Sequence, residues 1–103
     1  MKLMTKEIEK KLEKRPFCST EGKGEDAEVV VKYFTPDANA TWLITEGEQL
    51  DNGDWELFGL CHIFVWEWGY VRLSELKEVR GHLGLPVERD LYSHGTVAEL
   101  RGM

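Results

Sequence analysis

The residues that most often carry chemistry, histidine and cysteine, are few and widely spaced in this sequence. The histidines are His62, His82 and His94, and the cysteines are Cys18 and Cys61. None of them has the HxH, HExxH, CxxC or zinc-finger spacing that brings several ligands to one metal ion. Cys61 and His62 are adjacent, and a strand would send them to opposite faces, beyond the hydrogen-bond reach of a nucleophile and its base. The sequence therefore predicts no metal site, no cofactor and no catalytic residue.

Carboxylates are the other candidates, because paired acids can perform acid–base chemistry or bind a cation. Several lie near predicted strand ends or loops: Glu46, Glu67, Glu75, Glu88 and Asp90. Arginine is close by, as in Glu88-Arg89-Asp90, and we expect structural ion pairs there. The alternative is a small enzyme that uses Glu67, Glu88 or Asp90 with an arginine. That alternative requires these side chains to converge in one pocket.

Charge is distributed unevenly along the chain. The net charge is −6, yet no lysine or arginine occurs between Tyr33 and Val71. That interval contains seven acids, which are Asp37, Glu46, Glu48, Asp51, Asp54, Glu56 and Glu67. An acidic segment disfavours direct nucleic-acid binding, which needs cations opposite phosphates, and it attracts a basic protein. The alternative is that these charges provide solubility and protect strand edges.

Aromatic side chains accompany the acidic interval: Trp42, Trp55, Trp66, Trp68 and Tyr70. Such side chains anchor many protein interfaces, although in a small domain they also fill the core. We expect part of the Trp66 and Trp68 indoles to be exposed near a hairpin tip. The predicted partner-binding residues are therefore Glu46, Glu48, Asp51, Asp54, Glu67, Trp66 and Trp68.

The element that must position these side chains is the apolar run at residues 55–73, WELFGLCHIFVWEWGYVRL. Charges and glycines interrupt the run, so it does not predict a membrane span. Its aromatic and β-branched residues favour strands, and both alternating faces are apolar, which indicates a sheet covered on both sides. The run is too long for one strand. We predict a hairpin of residues 57–64 with 69–73 and a break near 65–68.

Other segments complete the predicted fold. Thr5 is a candidate N-cap for a helix from Lys6 to about Lys14, and Ser74 for a short helix through Val79. Thr96 has capping-box spacing for a final helix. Further strands are predicted at 17–20, 28–35 and 41–45, with a turn at 36–39 and a polar loop at 46–54. Residues 87–92 are predicted to be extended. We predict one domain over residues 1–103 of the α+β class, an antiparallel sheet of about four to six strands with an N-terminal helix and one or two short C-terminal helices.

The first fifteen residues are basic, with six lysines or arginines and three acids. A nucleic-acid accessory domain that acts through this helix is therefore a further alternative. No targeting, signal or lipidation pattern is visible, so we expect a cytoplasmic location and no membrane partner. Isolated cysteines in that compartment predict reduced thiols. The oligomeric state stays open.

Several segments carry a resemblance to a known family. They are KLMTKEI at 2–8, VKYFTP at 31–36, Trp42 followed by Thr45-Glu46, FGL at 58–60, EWGY at 67–70, LSEL at 73–76, VRG at 79–81 and LGLPVERDLY at 83–92. In this order they resemble the bacterial domain-of-unknown-function family twenty-nine fifty-eight. The resemblance implies a setting on plasmids, conjugative elements and phages, and it brings no enzyme activity, cofactor or catalytic residue. Residues 61–63 and 65–66 depart from the lighter residues usual in that family.

Charge, aromatic content and resemblance together favour a non-enzymatic protein-binding module of a mobile genetic element, with a basic protein as its partner. Acidic mimicry of DNA, which would block a nucleic-acid-binding defence protein, is one concrete version of this hypothesis. It requires the acids and indoles to share one surface.

Overall fold

The computed structural model describes residues 1–102. The first helix, α1, spans Lys6–Glu13 and begins as predicted at Thr5, whose side-chain oxygen accepts a hydrogen bond from the Ile8 N–H at 3.2 Å. Ile8 and Leu12 lie one turn apart and are both buried. The helix therefore docks through a narrow apolar stripe and leaves its charged residues in solvent.

A five-stranded antiparallel sheet forms the centre of the molecule and confirms the predicted α+β class. Its strands are β1 (Val31–Phe34), β2 (Thr41–Gln49), β3 (Trp55–His62), β4 (Trp66–Arg72) and β5 (Glu88–Arg89). Their spatial order is β4-β3-β2-β1-β5, so β4 and β5 are the two edges. β1 to β4 thus form a meander of consecutive neighbours, which needs only short connections.

The hairpin predicted in the apolar run is present, but its strands are longer and its turn lies earlier. β3 and β4 pair from Glu56 with Arg72 to His62 with Trp66, so the connection is residues 63–65. The predicted break at 65–68 was wrong because Trp66 and Trp68 belong to the paired part of β4. Aromatic cross-strand neighbours stabilise pairing at these positions.

The strand prediction at 17–20 was wrong, and the strand predicted at 28–35 is present but shorter. Residues 17–20 are successive turns, with the Ser19 N–H bonded to the Pro16 carbonyl at 3.0 Å and the Glu21 N–H to the Cys18 carbonyl at 3.1 Å. The strand predicted at 28–35 begins only at Val31. Before it, the Val29 N–H bonds to Gly95 in the C-terminal segment at 2.9 Å, so the chain pairs elsewhere.

The polar loop predicted at 46–54 was also wrong in its first half. β2 continues to Gln49, and a register shift between Ile44 and Glu46 keeps it paired with β3. A bulge of this kind bends a strand without ending its ladder. Glu46 and Glu48 are therefore strand residues on one face of the sheet, opposite Phe58 and Glu56 respectively.

Helices cover both faces of the sheet. On one face, α1 and α2 (Leu73–Glu78) contribute Ile8, Leu12, Leu73 and Leu76 to a cluster with the inward residues of the strands. On the other face, α3 (Val97–Arg101) packs Val97 and Leu100 onto two sheet leucines. The predicted capping box at Thr96 is confirmed. Within the described residues, no helix has both the length and the apolar character that crossing a bilayer requires.

The start of α2 differs from prediction. Arg72 occupies the N-cap position and its backbone N–H donates to Glu75 at 2.8 Å, whereas Ser74 lies in the first turn. The Ser74 hydroxyl instead donates to Asp54 at 2.6 Å. β4 therefore runs directly into α2 without a loop, and Asp54 supplies the side-chain acceptor for the helix start.

Candidate functional site

The tip of the β3–β4 hairpin exposes three consecutive apolar residues. Ile63, Phe64 and Val65 all face solvent, and the Phe64 side chain is 91% exposed. Scattered exposed apolar residues are ordinary on protein surfaces, but a contiguous group marks an interaction site. This group was not singled out from sequence, where the same residues were assigned to a strand end and a break.

An aromatic surface continues from the tip along one face of the hairpin. Alternation puts Trp68 and Tyr70 on the same face as Phe58, with Phe58 directly opposite Tyr70. The Phe58 ring stacks on Trp68 with centroids 5.7 Å apart and contacts Tyr70 at 4.9 Å. Phe17 meets the Tyr70 ring edge-on at 5.4 Å. Trp68 is nevertheless 41% exposed and Tyr70 62% exposed, so these rings are ordered but uncovered.

Trp66 has a different environment from Trp68, although part of both indoles was expected to be exposed. Trp66 is half-buried, packs against the Val97 cluster and contacts His62 at 4.9 Å between centroids. The Arg101 guanidinium carbon lies 5.3 Å from its ring centre, and Arg101 is held in turn by Glu25 at 2.9 Å. Its ring already has a cation partner within the chain. Trp66 therefore offers less free ring surface to a partner than Trp68, which is two residues along the same face of β4.

Glu46 lies beneath the aromatic face and holds the preceding loop. It is only 3% exposed, and its carboxylate accepts hydrogen bonds from the Cys18 N–H at 2.9 Å, the Thr20 N–H at 2.8 Å and the Thr20 hydroxyl. Cys18 has a positive φ of 72°, a conformation that most residues avoid. The turn conformation lets nearby N–H groups converge on one carboxylate, an arrangement that satisfies a buried charge.

Glu48 repeats the arrangement nearer the surface. It is exposed and accepts the Phe17 N–H at 2.9 Å. Glu46 and Glu48 therefore attach residues 17–20 to the face of the sheet, so that loop stands beside Tyr70. The i, i+2 spacing of the two glutamates is the period of a strand, and it could have indicated that both face the same side of β2.

A pocket of about 230 Å³ lies between this loop and the aromatic face. Phe58, Trp68 and Tyr70 line it on the hairpin side, and residues 20–22 and Gly24 line the opposite side. Glu46 also lines it. The pocket thus combines exposed aromatic ring faces with a buried carboxylate, a combination that suits a cation.

Most of the other acids of residues 33–71 serve the fold. Asp54 accepts hydrogen bonds from the Ser74 hydroxyl and from the N–H groups of Ser74 and Trp55, and the Ser74 hydroxyl is the main cause of a lowered pKa of that carboxyl. Glu56 pairs with Arg72 at 3.8 Å. Asp37 accepts N–H groups in the loop after α2, at 2.6 Å from Leu83 and 3.2 Å from Leu85.

The predicted partner-binding acids therefore do not form one surface. Glu46 is buried, while Glu48 and Asp54 bond to different parts of the chain. Asp51 lies in the loop after β2 and Glu67 on the edge strand β4, and both are exposed without a hydrogen-bonded or ionic partner among the described residues. Of the predicted binding residues, Glu46 and Trp68 line one pocket, and Glu67 and Trp68 line another. Binding by these residues stays a prediction.

A second depression lies on the other side of β4. It measures about 440 Å³ and is lined by the hairpin-tip residues, by Val71 and by two acids, Glu67 and Glu75. β4 itself pairs only with β3, so its outer edge presents unpaired backbone groups. The hairpin therefore offers apolar surface on both sides of an open strand edge, with carboxylates at each side.

The residues considered for an enzyme do not converge. Glu67 is on β4 and Glu88 on β5, the opposite edges of the sheet. Asp90 pairs with Lys32 at 3.8 Å and accepts the Ser93 hydroxyl at 2.6 Å, so it orders a turn. Within residues 1–102, no group of three or more His, Cys, Asp or Glu side chains is arranged to hold a metal ion.

The two adjacent residues Cys61 and His62 face opposite sides of β3. Cys61 packs against the larger cluster, where burial raises the pKa of its thiol to about 11. His62 faces the other way, towards Trp66, and its Nδ1 lies 3.1 Å from the Asn39 carbonyl oxygen. A thiol that stays protonated at neutral pH and has no adjacent base is a poor nucleophile.

Comparison with known proteins agrees with the resemblance found in the sequence. No curated protein and no solved structure matches the chain. A family model does match, over residues 3–99, and its description is a protein of unknown function, DUF2958. Because this match covers nearly the whole sequence, the chain belongs to the DUF2958 family.

Proposed function

We propose that the protein is a non-enzymatic protein-binding module that binds a basic partner through the β3–β4 hairpin. The observation that carries the proposal is the exposure of five apolar or aromatic residues of one hairpin, the tip residues 63–65 with Trp68 and Tyr70, all of which line the same depression. Interfaces concentrate binding energy in a few aromatic or apolar anchors that become desolvated. An exposed phenylalanine at the tip, with two exposed aromatic residues further along β4 that both pack on Phe58, fits that description.

Charge supports a basic partner over a second copy of the chain. A net charge of −6 makes two copies repel each other and favours encounter with a positively charged protein. Local charge has the same sign, since Glu67 and Glu75 line one side of the hairpin and Glu46 the other. A basic segment could therefore place apolar atoms on the rings and cations near these carboxylates.

The setting that the family resemblance implies is cargo of plasmids, conjugative elements and phages, acting in the bacterial cytoplasm. There the module would bind a host or element-encoded protein, and blocking a nucleic-acid-binding defence protein is one concrete role. The acids of this protein are poorly arranged to imitate DNA phosphates. Such mimicry needs a regular array of free acids, and five of the seven acids of residues 33–71 are engaged within the chain.

The test compares Phe64→Ser with a matched control, Tyr92→Ser. Both aromatic side chains are almost fully exposed, at 91% and 88%, so neither change should affect folding. Phe64 is at the hairpin tip, whereas Tyr92 follows β5 at the opposite edge of the sheet. Tagged wild-type and variant proteins are used to capture partners from bacterial lysate at low and high salt, and any captured protein is identified, purified and titrated.

The expected result is a basic partner that the wild type and Tyr92→Ser bind equally. Loss of an anchor at Phe64 should cost about 1–2 kcal/mol, or about five- to thirtyfold in affinity. Binding should weaken with salt because screening reduces the charge attraction. The proposal is wrong if no purified partner depends on Phe64, if the partner is acidic, or if sedimentation shows a dimer that Phe64→Ser abolishes.

A further inference from the structure

We propose that the pocket above Glu46 is an arginine-binding subsite, which accepts the guanidinium group of one arginine side chain of the partner. This inference rests on the proposed function, since it names the chemistry of one contact within the same surface. It adds a specific occupant and a position to the general expectation of a basic partner. The subsite is the space between Trp68, Tyr70 and the loop at residues 18–24.

The aromatic walls of the pocket are already fixed in place without a ligand. Phe58 and Trp68 stack with only 17° between their planes, and Phe17 and Phe58 contact Tyr70 from two directions. Rings held by neighbours lose little conformational entropy when a ligand arrives, which favours binding. Trp68 and Tyr70 keep exposed surface on the pocket side, so a cation can approach a ring face.

Glu46 supplies the charge that distinguishes this pocket from an ordinary apolar one. One carboxylate oxygen, Oε2, accepts two donors from Thr20, whereas Oε1 accepts one from the Cys18 N–H. A carboxylate has about four acceptor positions, so one on Oε1 remains for an additional donor. Because Glu46 is almost completely buried and lines the pocket, its charge is weakly screened by water.

Guanidinium fits this combination better than an ammonium group. It is planar, so it can lie against an indole or phenol face, and it carries five N–H donors that can reach a carboxylate at the same time. It is also less strongly hydrated than ammonium, which lowers the cost of entering a pocket walled by rings. The volume of about 230 Å³ leaves room for the side-chain stem to follow.

One contact within the chain shows the same chemistry on the same face of the sheet. Arg101 lies over Trp66 at 5.3 Å and is held by Glu25. This trio combines a guanidinium, an indole and a carboxylate. Trp68, two residues along β4, has the ring and the nearby carboxylate of Glu46. Within the described residues, no cation–ring contact of this kind is formed by Trp68.

The experiment uses defined small probes and the complete folded protein. Nα-acetyl-arginine-methylamide is titrated into isotope-labelled protein and followed by NMR at the indole and backbone N–H groups. Nα-acetyl-citrulline-methylamide is the control, because it keeps the shape and loses the charge. The lysine analogue provides the third comparison. We expect saturable shifts centred on Trp68, Tyr70, Gly22 and Gly24 with arginine, at least about threefold weaker binding with lysine, and no saturation with citrulline.

Variants separate the subsite from the rest of the surface. Trp68→Leu and Tyr70→Leu change exposed residues and should each weaken arginine binding by about three- to tenfold, whereas the control Tyr92→Ser, at the opposite edge of the sheet, should leave it unchanged. Equal binding of citrulline, tighter binding of lysine, shifts centred elsewhere, or no saturable binding would each overturn the inference. Those outcomes would leave the proposed function standing if a basic partner still depends on Phe64. If arginine binds but no basic partner depends on Phe64, the subsite is supported and the proposed function is wrong.

Discussion

Replacing Glu46 with glutamine should destabilise the protein far more than the same change at Glu48. Glu46 is buried and accepts three hydrogen bonds, two from backbone N–H groups and one from the Thr20 hydroxyl. Glutamine offers one acceptor oxygen, and its NH₂ group must face at least one of those donors. Glu48 is exposed and accepts a single N–H, which the glutamine oxygen can still accept.

The size of the effect follows from the bonds that change. A hydrogen bond to a charged group contributes about 1.5–3 kcal/mol, and a neutral one about 0.5–1.5 kcal/mol. Glu46→Gln removes one bond and weakens the others, while the neutral amide is cheaper to bury. The expected loss in the free energy of unfolding is about 2 kcal/mol, a large part of the 5–15 kcal/mol typical of a domain. Glu48→Gln should change it by less than about 0.5 kcal/mol.

Urea unfolding followed by tryptophan fluorescence measures both values, with equal urea dependence as the check for comparable unfolding. Amide hydrogen exchange provides the local measurement, since the Cys18 and Thr20 N–H groups should exchange faster in Glu46→Gln. A free energy of unfolding of Glu46→Gln within about 0.5 kcal/mol of the wild-type value would refute the reasoning. So would a large loss without faster exchange in this loop, because the carboxylate would then not be what holds it.

Three further predictions concern positions outside the loop. Gly59→Ala should unfold or strongly destabilise the protein in a melting experiment, because an added Cβ would lie 1.9 Å from a backbone oxygen of β2. Gly69, the residue paired with Gly59 on β4, has open space beside it, so Gly69→Ala should melt within a few degrees of wild type. Iodoacetamide at pH 8 should label Cys61 slowly in the folded protein and rapidly in urea, because burial raises its pKa to about 11; equal rates would contradict this. Ser74→Ala should reduce stability near neutral pH, because the Ser74 hydroxyl lowers the pKa of Asp54 below its unfolded-state value of 3.8. That stability is present above pH 3.8 and is lost as the pH falls through the lower folded-state pKa, so the difference between variant and wild type should shrink in acid. Parallel curves of stability against pH would exclude that linkage.

Elements with local signals could be predicted from the sequence. The caps at Thr5 and Thr96 depend on residues three positions away, and the structure has both helix starts there. The β3–β4 hairpin was predicted because its apolar run is too long for one strand. Its exact turn was missed, since Trp66 and the residues around it have equal strand character and only the register of pairing decides where the chain reverses.

The candidate site could be predicted only in part, because its contacts are distant in sequence. Glu46 is polar and so was assigned to a loop, yet it is buried because donors 26 and 28 positions earlier satisfy its carboxylate. Nothing near Glu46 in the sequence announces those donors. The number of acids likewise predicts the sign of the charge in residues 33–71, but not where each carboxylate lies. That depends on the folded chain, in which these acids bond to separate parts of the structure.

The sheet face that packs against α3 is covered at its centre and exposed towards β4. Near α3, the sheet residues Leu43 and Leu60 are fully covered by helix side chains, as a hydrophobic core requires. One strand further out, Trp68 and Tyr70 continue the same face without any helix above them. These rings contact Phe58 across the strands, yet each keeps a large exposed surface, and polar side chains at these positions would protect the open edge of β4 better. The surplus of apolar surface therefore lies where a partner, not the chain itself, can cover it.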